Sequence, residues 1–396
     1  MAPRDASLHA SCAVLAVLAL LAGPAAQAAA QTPLGRATAT FPEDFGSIQT
    51  VRELRDGKLL VADPLGAALY LVDMDAGKRT VVGSKGQGPQ EYMQPDAVWP
   101  LPGDSTLLVD LGNARLVTLA PDLKFGATRP IAQGDFEPGR PLVLALPQAV
   151  DGAGSIYFRT LGRGLGAEPP DSGDVLRLPR GGGAPLTVAT IKLQDQRTTR
   201  SGGADNQSVS IEPLPLTPED AWGVAPDGSV VIARSGDYHV EWIAPDRTVR
   251  RGPAVPWEPV RISGADKEEY LAEAGRAGGV AVRIEIEDGR PSMSLSRGGP
   301  GGGRREADRY TWPDRKPAFQ GGRIPVDPQG RAWVRRHVKA GDPAAYDLFD
   351  RAGRRVASVT LGAGKRVVGF GARSVYVVSF DDFDLAYLER YALPAL

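Results

Sequence analysis

One short pattern recurs six times along this chain. Residues 54–73 read LRDGKLLVADPLGAALYLVD: a turn at Asp56-Gly57 leads into an apolar run, and a second turn at Pro64–Gly66 leads into another. Related units fall at 101–122, at 150–161 with 175–180, at 224–246, at 326–338 with 344–356, and at 369–391. Glycines 57, 103, 152, 228, 330 and 371 mark the same turn in each unit. Three of the intervals between them, 46, 49 and 41 residues, match one four-stranded propeller blade. The two long intervals hold insertions, expected at about 195–213 (polar, Gly/Ser-rich) and 258–316.

The pattern predicts an all-β chain folded as a six-bladed β-propeller. In the first unit the strands are expected at 48–54, 58–63, 68–74 and 78–83. A two-sheet sandwich would not repeat so evenly and would expose long edges, which a closed ring covers by radial repetition. The sixth unit ends one strand short, and residues 36–41 (RATATF) have no partner of their own. They are expected to supply the missing outer strand and close the ring. The second insertion carries Ser263-Gly264-Ala265-Asp266, a capping-box-like start, followed by a helix over 267–277 that stops at Gly278-Gly279. Tyr270, Leu271 and Ala274 share a face of that helix, which could cover the propeller mouth, dock a partner or decorate a blade edge. Trp257 and Trp312 flank the insertion and are expected to anchor it.

Composition narrows the chemistry. The 396 residues include 42% hydrophobic side chains, 48 Gly and 34 Pro, which suits a packed chain with many turns. The 46 basic and 47 acidic residues leave a net charge of −1, so no footprint for nucleic acid is present. Cys12 is the sole cysteine, and His9, His239 and His337 are the only histidines. Disulfides within the chain, thiolate clusters and multi-imidazole metal sites are thereby excluded. Residues 12–22 (CAVLAVLALLA) form an apolar run of eleven, broken by Gly23-Pro24 and followed by small residues. Residues 1–30 therefore read as a secretory signal peptide rather than a spanning helix, with 31–396 as the propeller and a periplasmic or secreted address.

Two segments carry a resemblance. VGSKGQGPQEYMQP at 82–95 and LLVDLGNARL at 107–116 resemble six-bladed β-propeller proteins of bacterial envelopes. These are relatives of the NHL-repeat propellers, and many have no assigned activity. A GxGxGPGEF-like loop follows the first blade in that family. Here Gln90 stands where the family usually has glycine. SFDDFDLAYLERYAL at 379–393 is similar to the same proteins. The resemblance implies a six-bladed ring and an extracytoplasmic location, and it implies no catalytic residues.

Candidate site residues come from the ends of the second strands, which in a propeller ring the channel mouth. Asp63, Asp110 and Asp381-Asp382 end units one, two and six; Arg159, Arg234 and Arg335-Arg336 end units three, four and five. The mouth is thus expected to be acidic on one side and basic on the other. The arginines would bind a small ligand bearing a carboxylate, phosphate or sulfate. The competing reading is that such aspartates accept N–H bonds in the adjoining turns. Glu91 and Tyr92, in the loop joining blades one and two, are candidates to reach the mouth, the competing reading being that Tyr92 fills the space between those blades. No GxSxG, P-loop, HExxH or CxxC motif is present. His239 and His337 lack an identified partner for acid–base work.

Two functions follow from different classes. One is a non-catalytic binding or protein-interaction propeller with its ligand, or a protein partner, at the axial mouth and no cofactor. The other is a lactonase-like hydrolase or lyase using the acidic strand ends with a metal, calcium included, although Asp381, Asp382 and Asp384 alone fall short of calcium's six to eight oxygens.

Overall fold

A computed structural model describes residues 31–134, 143–160, 170–201, 208–287, 290–298 and 307–395. The expected signal peptide lies outside these residues. Six radial sheets surround an axis. Blade one contains Val51–Glu53, Leu59–Asp63, Ala68–Asp73 and Lys78–Val81 from inside to outside. Blade two contains Pro95–Pro100, Thr106–Asp110, Arg115–Leu119 and Phe125–Pro130. Blade three runs through Ala149–Val150, Ile156–Arg159, Ser172–Leu178 and Leu186–Lys192. Blade four runs through Ala221–Val224, Val230–Arg234, His239–Ile243 and Val249–Arg251.

Blades five and six complete the ring. Blade five has Ala332–Arg336, Ala344–Phe349 and Arg355–Leu361, with the segment 319–326 bridging to its inner edge at Phe319↔Arg336 and Val326↔Ala332. Within that segment, Gly322–Arg323 also pairs in parallel with the inner strand of blade four. Blade six has Arg366–Phe370, Ser374–Phe380 and Ala386–Ala392, and its outer strand is Ala39–Thr40, antiparallel to Ala386–Ala392. The chain's first segment therefore joins its last blade. A further strand, Gln31–Pro33, pairs in parallel with the outer strand of blade five and has no counterpart in the sequence pattern.

The second strands are near-continuous apolar runs, such as Leu59–Asp63 and Val230–Arg234, buried on both faces because each blade has a neighbour on each side, whereas outer strands such as Lys78–Val81 are largely exposed. Six separate hydrophobic clusters result, one per gap between blades. The cluster between blades six and one holds Phe41, Phe45 and Ile48 beside Val378 and Leu388, so the N-terminal segment closes the ring with packing as well as backbone bonds. The turn glycines behave alike in four units: Gly57, Gly103, Gly228 and Gly330 all have positive φ. In blade three Gly154 takes that conformation instead of Gly152. At Gly371 an added Cβ would lie 1.8 Å from Glu53 Oε2, so that carboxylate would have to move aside.

Both insertions fold locally. The first forms the hairpin Gln196–Ser201/Ser208–Pro213. The second forms helix α1, Gly264–Ala277, and the hairpin Val280–Glu287/Arg290–Arg297. Ser263 and Asp266 make the expected reciprocal capping box. Leu295 of the hairpin is buried in the cluster between blades two and three. No helix among the described residues is long and apolar enough to cross a membrane.

Candidate functional site

Helix α1 lies across the mouth and is fixed at both ends. At its start, Asp266 accepts from Lys316 Nζ at 2.7 Å and from the Ala340 N–H at 2.8 Å, both beside blade five. Midway, Glu273 pairs with Arg335 of blade five at 2.6 Å. Arg276 pairs with Asp384 of blade six at 2.9 Å and stacks over Phe380. At the end, the Ala277 carbonyl accepts from Gln49, which precedes blade one, and from Arg297. Arg297 in turn grips Asp96 of blade two. The helix thus reaches from blade five past blade six toward blades one and two.

Between α1 and the ring lies a cavity of about 330 Å³. Tyr270, Glu273, Ala274 and Ala277 line it from one helix face, at the i, i+3, i+4, i+7 spacing that such a face requires. Phe319 and Phe380 add apolar wall, while Glu219, Arg335, His337 and Arg366 bring charge or protons. Burial drives the His337 imidazole down to about 3, with Lys316 and Arg335 adding repulsion and Asp266 opposing, so it is neutral at ordinary pH. Burial raises the Glu219 carboxyl, partly offset by Arg159 and Lys192. The Arg366 guanidinium donates to the Ile48 carbonyl at 2.8 Å, and burial lowers its pKa. Deeper in the channel, burial and then the charge of Arg366 bring Arg323 down to about 10.

Of the residues singled out in the sequence, Arg335 lines this cavity, and Asp63, Glu91, Tyr92, Asp110, Arg159, Arg234, Arg336, Asp381 and Asp382 do not. Asp63 accepts the N–H groups of Gly46, Ser47 and Gly66 at 2.9–3.0 Å. Asp110, fully buried, accepts those of Met93 and Gln94 and also binds Asn113 and Arg115. Each aspartate ties its second strand to the segment entering the blade. In blade four the polarity is exchanged: Arg234 pairs with Glu241, with Asp220 at 2.9 Å and with the Thr190 carbonyl. Arg336 lies 3.5 Å from the buried Asp347, which also accepts the Tyr238 hydroxyl. Asp381 accepts from Phe383 and Leu385 in its own turn. Glu91 accepts the Gly88 N–H at 2.6 Å within its loop. Tyr92 is buried between blades one and two, accepts the Leu69 N–H and stacks on Phe125. Arg159 feels Glu219 and makes no described hydrogen bond.

Most strand-end charges are therefore matched locally, whereas Arg335 pairs with Glu273 of α1, and the axial site is built from that arginine, inner-strand residues, the α1 face and His337. Sequence reasoning missed Arg323 and Arg366 because it compared second strands only. The signal was an arginine at the edge of a first strand, in GGRIPV and in KRVVGF. Trp312 packs edge-on against Tyr270 and anchors the helix. Trp257 is 39% exposed, and no described ring contact joins it to Trp312.

Several solved structures are similar to this chain at low sequence identity. The calcium-binding protein regucalcin from Agrobacterium tumefaciens matches with a TM-score of 0.39 and 13% identity, covering 92% of this chain and 97% of that one. A gluconolactonase from Xanthomonas campestris matches with a TM-score of 0.39 and 11% identity over 93% and 99%. Virginiamycin B lyase from Staphylococcus aureus matches with a TM-score of 0.35 and 7% identity over 87% and 80%. No protein-family model matches the chain, and no curated protein matches it in sequence. The chain is a six-bladed β-propeller.

A calcium- or zinc-assisted site would need converging oxygen or imidazole donors. Among the described residues no group of three or more His, Cys, Asp or Glu is placed to hold a metal ion. Asp63, Asp110 and Asp381 belong to different blades, and each already accepts N–H bonds. These residues do not fit such an ion.

Proposed function

We propose that this protein is an extracytoplasmic binding propeller that takes a small anionic organic ligand at its axial mouth, between α1 and the ring. The cavity of about 330 Å³ carries this reading: it joins an aromatic wall to the Arg366 guanidinium, whose single described acceptor is a main-chain carbonyl. Concave sites with apolar walls and few polar groups are the usual form of small-molecule sites. The address rests on the leader-like segment 1–30. Ala274→Phe fills the cavity from the helix side without touching the ion pairs that hold α1. A calorimetric screen of organic anions is expected to yield a ligand for the wild type whose affinity falls at least tenfold in that variant. Equal affinity in both would place the ligand elsewhere and end the proposal.

A catalytic reading has one observation in its favour. Neutral His337 and the upshifted Glu219 line the same cavity, and carboxyl and imidazole groups whose environments favour their uncharged forms can exchange protons with a bound substrate. Turnover of a bound ester or lactone, abolished by His337→Gln with binding retained, would support it. Binding without turnover leaves the module reading in place.

A further inference from the structure

Helix α1 sets a carboxylate of its own on the cations of the cavity. Glu273 and Arg335 both line that space and pair at 2.6 Å, with side chains only 26% and 17% exposed. Arg335 comes from the strand Ala332–Arg336 of blade five, and Arg366 starts the inner strand of the next blade. Arg366 lines the same cavity and donates to the Ile48 carbonyl. The charge of Glu273 also favours the charged form of Arg366. One carboxylate thus serves two guanidiniums, while the third arginine of the lining, Arg276, has Asp384. Of the 14 residues in α1 only Asp266 is buried, so ion pairs rather than a packed apolar face hold the middle of the helix down. Glu269, one turn before Glu273, lines a smaller adjoining pocket and not this cavity.

A guanidinium offers the same planar set of donors to any carboxylate, so a ligand anion in this cavity and Glu273 compete for one partner. A competitor held on the same chain lowers the apparent affinity by the fraction of molecules in which the donors are free. We propose that Glu273 is a built-in competitor of the ligand: its carboxylate occupies the Arg335 guanidinium in the free protein, and an organic anion binds by displacing it. The exchange replaces one charge-assisted pair by another, and the buried contact of Asp266 with Lys316 and the pair of Arg276 with Asp384 keep both ends of α1 in place. Selectivity follows, because a neutral ligand of the same shape gains nothing that would release Glu273. The assignment deepens the binding reading above and rests on it.

Calorimetric titration of the full chain with benzoate and with benzyl alcohol, at fixed pH and ionic strength, tests the proposal. Benzoate is expected to bind Glu273→Gln about tenfold more tightly than the wild type, whereas benzyl alcohol should bind the two alike. Glu273→Asp, which keeps the charge on a shorter side chain, should tighten benzoate binding in part, and it serves in place of the Gln variant should that one not fold. Glu269→Gln removes the same charge one turn away and should change benzoate affinity by less than about twofold. Arg335→Met should weaken benzoate binding. Equal or weaker benzoate binding in Glu273→Gln overturns the proposal, as does an equal gain in Glu269→Gln, which would mark a general field effect. Absence of benzoate binding in both the wild type and Glu273→Gln overturns it too. Should benzoate binding be indifferent to Glu273→Gln yet lost in Ala274→Phe, the cavity reading stands and the competitor assignment falls; indifference to both substitutions ends both.

Discussion

Lys316 donates to the Asp266 carboxylate at 2.7 Å, and both side chains are buried. The same carboxylate accepts the Ser263 N–H and the Ala340 N–H. Burial by itself would raise its pKa, but these donors outweigh burial and hold it well below the usual carboxylate range. One residue thus caps α1 and fixes it beside blade five. Asp266→Ala leaves Lys316 buried without its partner and removes the cap, a loss of about 3 kcal/mol. Denaturant unfolding should show that loss, and hydrogen exchange should rise most within 264–277. Unaltered exchange in the helix would mean that Asp266 does not anchor it.

His337 sets a dependence on acidity. Its imidazole titrates near 3 in the folded protein, against 6.5 for an ordinary histidine. Between those values the unfolded chain takes up a proton that the folded one does not, so stability is lost as pH falls through that interval. In His337→Gln the decline in unfolding free energy from pH 7 to pH 4 should be smaller by about 3 kcal/mol. Parallel pH profiles for the two proteins would show that the histidine is already charged in the fold.

Gly223 lies where the inner strand of blade four closely approaches the inner segment of blade five. A Cβ at that position would lie 2.0 Å from the Ile324 carbonyl oxygen, which is backbone and cannot swing aside. Gly223→Ala should force the two inner strands apart and cost about 2 kcal/mol. Gly264→Ala, whose Cβ meets nothing within 4 Å, is the control and should cost less than half as much. Equal midpoints for the two variants would contradict the contact.

Phe41 tests ring closure. It is fully buried between blades six and one, and its N–H donates to the Leu388 carbonyl. Phe41→Ala should cost about 3 kcal/mol, measured by chemical denaturation. A loss below 1 kcal/mol would show that the N-terminal segment contributes little to closing the ring.

The blade count was legible because turns and apolar runs recur, and the closure was legible because unit six lacked one strand that RATATF could supply. Gln31–Pro33 was not, since three exposed residues at a sheet edge carry no periodicity. The inner segment of blade five was hidden as well, lying directly behind the long insertion and interrupted by Pro325. The axial site was harder to read. An aspartate that ends a second strand looks the same in sequence whether it faces the channel or, like Asp63, accepts three N–H groups. The partners of Arg234 are distributed over two neighbouring strands and one blade connection, so its charge balance existed only in three dimensions.

The pairing of Ala39–Thr40 with a strand more than 300 residues downstream has a temporal consequence. During synthesis, residues 36–41 wait without a mate until every other sheet has been made. Contacts so distant along the chain are slow to form, because a large loop entropy must be overcome first. Loss of the last strand would therefore strand the first one too, and a nascent chain halted short of residue 386 would display two unsealed flanks to chaperones and proteases.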